Sequence, residues 1–210
     1  MLYAVKKSRS KTGIFKSFEE FKDDVYGYPP AVYQKFETEL EANEYLIKML
    51  TSSTPRLPMI IPENPEEPPY AYVDGSFNPE TKVYGCGGFL INSDVSNDER
   101  IEYVIQDSAN DEEMALMRNV AGEILGAKKA IEMALNLGLK SITIFYDYMG
   151  IEKWATGEWK RNKKGTQEYY EFIEEKAKKI QIFFVKVKGH SGIEGNERAD
   201  MLAKEACGVL

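Results

Sequence analysis

The 210-residue sequence has one histidine, His190, and two cysteines, Cys86 and Cys207. The cysteines lack the spacing of metal ligands, and two isolated thiols read most simply as reduced residues of a cytoplasmic protein. No run of about 18 apolar residues occurs, so no transmembrane helix and no membrane partner are expected. The opening "MLYAVKKSRSKTG" turns basic and polar almost at once and lacks the apolar stretch of a secretory signal. No internal repeat appears, and outside one segment proline is scarce.

A net charge of −7 argues against non-specific binding to nucleic acid. The average hides an asymmetry. Residues 1–16 hold Lys6, Lys7, Arg9, Lys11 and Lys16 and no acid. Such a patch can hold phosphates in an acidic protein, because screening confines the attraction to roughly 10 Å. From charge alone, a solvated basic hairpin loop is the favoured reading.

Six of the nine prolines fall in "TSSTPRLPMIIPENPEEPP", residues 51–69. Proline at that density blocks helix and sheet pairing, which predicts a semi-extended linker. It separates a small domain, 1–50, from a larger one, 70–210. In the first, "YAV" and "GIF" read as strands, and "GYPPAVYQKF" offers a turn and a third strand. Ser17 with Glu20 and Thr38 with Glu41 have capping-box spacing. The first helix is expected to bury Phe18, Phe21 and Val25, and the second Leu40, Tyr45, Leu46 and Met49, giving a β-β-α-β-α unit.

The larger domain opens with the strand "YAYVDGSF", and "VYGCGGFLI" and "RIEYVIQD" continue it as an antiparallel meander. Val120, Ile124, Ala127, Ile131 and Ala134 recur at helical spacing and predict one long helix over 114–137. "SITIFYD" and "IFFVKVKG" read as strands. "GIEKWATG", "TQEYYEFIEEKAKK" and "NERADMLAKEAC" read as helices. Three strands followed by alternating strands and helices imply an α/β fold with a five-stranded mixed sheet flanked by helices.

Four acids fall where a sheet-based site is built. Asp74 lies near the end of the first strand, ahead of Gly75 and Ser76, and Asp147 ends "SITIFYD". Glu123 sits among apolar residues of the long helix, and Asp200 among Ala199, Leu202 and Ala203 of the last. Taken singly, each reads as a turn residue or a solvated helix acid. Alternation along a strand puts Tyr72 with Asp74, and Phe145 with Asp147, so an acid follows an aromatic on one face of both strands. A metal ion is the partner that suits several clustered acids. Spacings of 49, 24 and 53 residues do not show that they meet.

"YVDGSF", "RNVAGEILGAKKAI", "FYD" and "GHSGIEGNERADMLAKEA" stand in the order and approximate spacing of ribonuclease H type 1, which residues 70–207 resemble. "YAVKKSRSKTGIF" and "YQKFETELEA" resemble the hybrid-binding domain of that family, a module related to caulimovirus viroplasmin. The resemblance implies an endoribonuclease that cuts the RNA strand of RNA–DNA hybrids with two Mg²⁺ ions, or Mn²⁺ in their place. Products are expected to end in 5′-phosphate and 3′-hydroxyl. It implies Asp74, Glu123, Asp147 and Asp200 as metal ligands: Asp74 between the ions, Asp200 toward the nucleophile, Glu123 toward the leaving group. Two divalent ions can stabilise charge on both the attacking and the leaving oxygen. His190, on a Gly-rich loop, is implied in proton transfer or product release, to which an imidazole titrating near neutrality is suited. Asn196 and Glu197 are implied in orienting the surroundings of Asp200.

Gly75, Ser76 and Asn119 match positions that touch the hybrid backbone. In the N-terminal module the implied contacts are Tyr3, Lys6, Lys7, Phe18, Tyr33 and Lys35. Aromatic faces there pack on deoxyribose while lysines meet phosphates. RNA–DNA hybrid is the expected partner, with double-stranded RNA as a second class, and the chain is expected to act as a monomer. It departs from the pattern at Phe18, where many relatives have Trp, and at Gln34, where many have Lys. Val120 replaces a polar residue and Tyr148 a small one. The basic protrusion of some members is reduced to "KRNKKG", residues 160–165. Two other readings stand beside it: a catalytically silent binder of hybrid or double-stranded RNA, and a DNA nuclease of the same fold. The presence of all four acids speaks against the first, the "GHSG" loop and the N-terminal module against the second.

Overall fold

The computed structural model describes residues 2–28, 31–43, 62–94, 99–189 and 191–210. The chain divides into two compact units, Met1–Thr54 and Pro55–Leu210.

In the first unit β1 (Leu2–Lys7) lies between β2 (Gly13–Phe15) and β3 (Val32–Phe36), antiparallel to both. A 3-10 turn, Phe18–Glu20, leads into the short helix α1, Lys22–Val25. The predicted first helix is therefore interrupted. Phe21 leaves helical geometry, with φ −135°, and its ring turns inward to join Val5 and Val25. Ser17 supplies no cap to a backbone N–H; its hydroxyl donates to Glu20 instead. The Thr38–Glu41 capping box does form: Glu41 N–H donates to Thr38 Oγ1, and Thr38 N–H to Glu41 Oε2. It starts helical residues 39–43. Their phase buries Ala42 and leaves Leu40 70% exposed, against the expected burial, because two helical residues apart means nearly opposite faces. Tyr45, Leu46 and Met49 lie outside the described residues.

The second unit carries a five-stranded sheet of order β6-β5-β4-β7-β8. Its strands are β4 (Tyr70–Phe77), β5 (Tyr84–Asp94), β6 (Glu99–Ala109), β7 (Ser141–Tyr146) and β8 (Gln181–Lys186). The first three form an antiparallel meander, and β7 and β8 run parallel to β4. Segment 62–69 is tied to this sheet: Thr143 N–H donates to Pro69 O, and Tyr72 OH to Glu66.

The expected long helix divides into α2 (Glu112–Ala115) and α3 (Asn119–Asn136). Arg118, with φ 56°, reverses the chain between them. The break lets Met114 and Met117 pack against Gly165 of α5 (Lys164–Lys176), a direction that one straight helix does not offer them. The remaining helices are α4 (Gly150–Ala155) and α6 (Glu194–Ala206).

Helix α3 covers one sheet face and buries Ala121, Ile124, Ala127, Ala130, Ile131 and Ala134 in the main core. Helix α6 meets the sheet through Ala199 and Ala203, and Ala199 joins a smaller cluster with Tyr72, Phe89 and Phe145. Small residues set both distances. A Cβ on Gly75 would lie under 3.0 Å from Glu123 N and Asn119 O of α3, and one on Gly87 under 3.0 Å from Ala203 N of α6. Among the described residues no helix is long and apolar enough to cross a membrane.

Candidate active site

The register of β4 and β7 builds the first half of the site. Tyr72 pairs in parallel with Phe145, and their rings stack with centroids 4.5 Å apart and planes 11° apart. Asp74 and Asp147 each lie two residues farther on. Alternation carries both to the face of that aromatic pair, just past the last rung that β4 and β7 share. Helix α3 supplies the third acid. Its backbone passes so close over Gly75 that Glu123, 2% exposed, reaches the end of the same strands. Carboxylate oxygens of Asp74, Glu123 and Asp147 all lie within 4.8 Å of one another.

Each acid of the inner pair has one fixed backbone donor. Gly75 N–H donates to Asp74 Oδ1 at 2.7 Å, and Tyr148 N–H donates to Glu123. These bonds do not offset burial. Burial, then the charge of Asp147, pushes the Asp74 carboxyl up to about 7; Asp200 adds to this, and Gly75 N–H and Lys204 oppose it. Burial, then the charges of Asp74 and Asp147, holds Glu123 well above the usual carboxylate range. Glu123 Oε2 is buried and has no hydrogen-bond partner among the described residues. Three clustered acids, one of them with a buried oxygen that no donor meets, fit a hard divalent cation by donor chemistry. The same ion offsets the repulsion that helps raise the pKa values of Asp74 and Glu123.

Asp200 is not within this group of three. Its Oδ2 accepts from Lys204 Nζ at 2.6 Å, one helical turn along α6. It is near enough to raise the Asp74 pKa. Asn196 is buried with Oδ1 unpartnered, and Glu197 is exposed and accepts from Gly192 N–H at 3.3 Å. His190 lies outside the described residues. Ser191 Oγ donates to Lys188 O at 2.6 Å. Asn119 is the exposed first residue of α3, and Ser76 is half-buried on β4. Gly75 has a packing role that by itself requires glycine.

In the first unit, Tyr3, Phe18 and Tyr33 gather around the buried ring of Phe21, at centroid distances of 5.6, 5.2 and 5.3 Å. Register places Tyr3 opposite Lys35, whose Nζ stands 5.9 Å over the Tyr3 ring. Four of the six expected contacts thus share one surface. The side chains of Lys6 and Lys7 lie outside the description.

Three participants escaped the sequence reading. Lys204 was findable, since an acid and a lysine four residues apart on a helix pair. The N–H of Tyr148 and the approach of Gly189 to Asp147 leave no sequence signal, because both depend on how strand ends meet.

The RNase H family model matches residues 67–208, and the model described as the ribonuclease H1 N-terminal domain matches residues 2–46. The chain is 28% identical over 254 residues to ribonuclease H1 of Rattus norvegicus, covering 98% of this chain and 88% of that one. It is 27% identical to the Homo sapiens ribonuclease H1 over 271 residues, with the same coverages. A shorter stretch of 64 residues, 27% of this chain and 42% of the relative, is 47% identical to ribonuclease H of Hyphomonas neptunium. Among solved structures, RNase H1 of Halobacterium salinarum shares the fold, with a TM-score of 0.54 and 22% identity over 68% of this chain and 98% of that one.

Proposed function

The chain belongs to the ribonuclease H family, and we propose that it cuts the RNA strand of RNA–DNA hybrids endonucleolytically, using two divalent cations. The observation that carries this reading is the meeting of Asp74, Glu123 and Asp147 from three separate elements, with a buried, unpartnered Glu123 oxygen. Asp74, Glu123 and Asp147 would hold the cations, with Asp200 as the fourth acid. Mg²⁺ is the proposed ion and Mn²⁺ its substitute. Bound cations supply charge stabilisation at the attacking and leaving oxygens and acidify water.

The protein's own groups do the rest. The Gly75 and Tyr148 N–H groups fix the carboxylates of Asp74 and Glu123. Lys204 balances the charge of Asp200. His190 moves a proton at the loop, and Asn196 and Glu197 hold the start of α6. Water adds to phosphorus and the bond to the 3′-oxygen breaks, leaving 5′-phosphate and 3′-hydroxyl ends. Gly75, Ser76 and Asn119 meet the hybrid backbone.

The N-terminal surface of Tyr3, Phe18, Tyr33 and Lys35, with Lys6 and Lys7, grips the hybrid by sugar stacking and phosphate contact. It also accepts double-stranded RNA, and discrimination by 2′-hydroxyls makes sequence preference weak. The protein acts as a monomer in the cytoplasm, where free Cys86 and Cys207 stay reduced.

Labelled RNA–DNA hybrid, double-stranded RNA and double-stranded DNA, each incubated with Mg²⁺, Mn²⁺ or EDTA, test the proposal. Internal cuts in the RNA of the hybrid alone, abolished by EDTA, are expected. Hybrid binding without cuts under every metal condition would establish a silent binder instead.

A further inference from the structure

The end of β8 runs alongside the end of β7. Tyr146 pairs with Lys186, and Val187 N–H donates to Tyr146 O at 2.8 Å just past the last ladder position. This pairing carries the backbone onward to Gly189, beside Asp147. A Cβ on Gly189 would lie under 3.0 Å from Asp147 Oδ2, and no other atom group comes as near. The Gly189 φ lies outside the left-handed region, so the backbone itself accepts any residue. Among the described residues the three nearest atoms all belong to Asp147. Gly192, three residues on, is the converse: φ is +78° and nothing lies within 4 Å of its missing Cβ.

We propose that Gly189 is a positioning residue for Asp147: the missing side chain leaves the space in which that carboxylate stands to meet Asp74 and Glu123. Gly189 and Asp147 are thereby built as one packed contact. A methyl group at 189 must turn the half-buried Asp147 carboxylate away from its present place or push the backbone at 189 outward, because the two would occupy one space. The consequence for cations rests on the cation reading of the three acids; the contact itself does not.

The test is a double-mutant cycle read two ways, thermal unfolding in EDTA and Mn²⁺ affinity by calorimetry. Gly189→Ala should lower Tm and weaken Mn²⁺ binding by about tenfold, the usual effect of disturbing a group that orients a ligand. In the Asp147→Ala background the same change should leave Tm unmoved, since its obstacle is gone. Gly192→Ala should leave Mn²⁺ affinity as it is. If Gly189→Ala fails to fold while Asp147→Ala/Gly189→Ala folds, the proposal is supported; if neither folds, it is overturned. Equal Tm losses in both backgrounds, or wild-type Tm and Mn²⁺ affinity in Gly189→Ala, also overturn it. Absence of Mn²⁺ binding by the wild-type protein would defeat the cation reading, and the Tm cycle would still judge the contact.

Discussion

Asp74→Asn removes one charge from the acid cluster and little else. Asparagine has the same shape, and its Oδ1 can still accept the Gly75 N–H bond. Burial and the charge of Asp147 raise the Asp74 carboxyl from 3.8 to about 7. At roughly 1.4 kcal/mol per unit, the ionised group costs the metal-free fold on the order of 4 kcal/mol. The raised value means the folded state binds the proton more tightly than the unfolded chain. Its contribution is fully present below pH about 4 and is lost as pH rises through about 7. In EDTA, Asp74→Asn should therefore match the wild type near pH 4 and become progressively more stable than it up to pH 8. Urea unfolding across that range measures the difference. Saturating Mg²⁺ should stabilise the wild type and narrow or reverse the gap, because a ligand stabilises only the state that binds it. A mutant less stable than the wild type at pH 8 in EDTA would refute the reasoning, and so would a pH-independent difference.

Other perturbations separate the parts of the site. His190→Ala should slow turnover by about 100-fold, in the range of a lost proton-transfer group, while Mn²⁺ affinity measured by calorimetry stays near wild type. Asp200→Asn should weaken that affinity, and equal losses in the two variants would mean that the loop has been misread. Deleting residues 1–50 should raise KM for long hybrids and reduce processivity with kcat nearly unchanged; unaltered KM would show that the reduced "KRNKKG" segment and the catalytic domain suffice. Gly75→Ala forces α3 off β4 and should destabilise by about 3 kcal/mol or more in urea melts, as overpacking against backbone does.

Much of the architecture is legible from periodicity. Alternation in "YAYVDGSF" and "SITIFYD" foretells both strands and the aromatic-then-acid order, and the stacked Tyr72–Phe145 pair realises it. The Thr38–Glu41 spacing foretells a cap that forms. Periodicity does not reveal the break at Arg118, because Met114 and Met117 continue the apolar pattern of α3 while packing toward α5. Leu40 misleads for a similar reason: its hydrophobicity says buried, but the cap fixes a phase that turns it outward. The convergence of Asp74, Glu123 and Asp147 is invisible in spacing. It depends on a parallel register between β4 and β7 and on two glycines, Gly75 and Gly122, that let α3 touch the sheet. The family resemblance supplied those residues in advance, but not the Lys204 partner of Asp200 or the contact of Gly189 with Asp147.

The central claim is that Asp74, Glu123 and Asp147, brought together from β4, α3 and the end of β7, hold the cations that serve hybrid cleavage. Hybrid cleavage by Asp147→Asn in Mg²⁺ tests it most directly, beside the wild type and with folding verified by an unchanged far-ultraviolet spectrum. Loss of one ligand should cut the rate by about 1,000-fold, on the order of 4 kcal/mol of transition-state stabilisation. Cleavage at the wild-type rate by the folded variant would contradict the account.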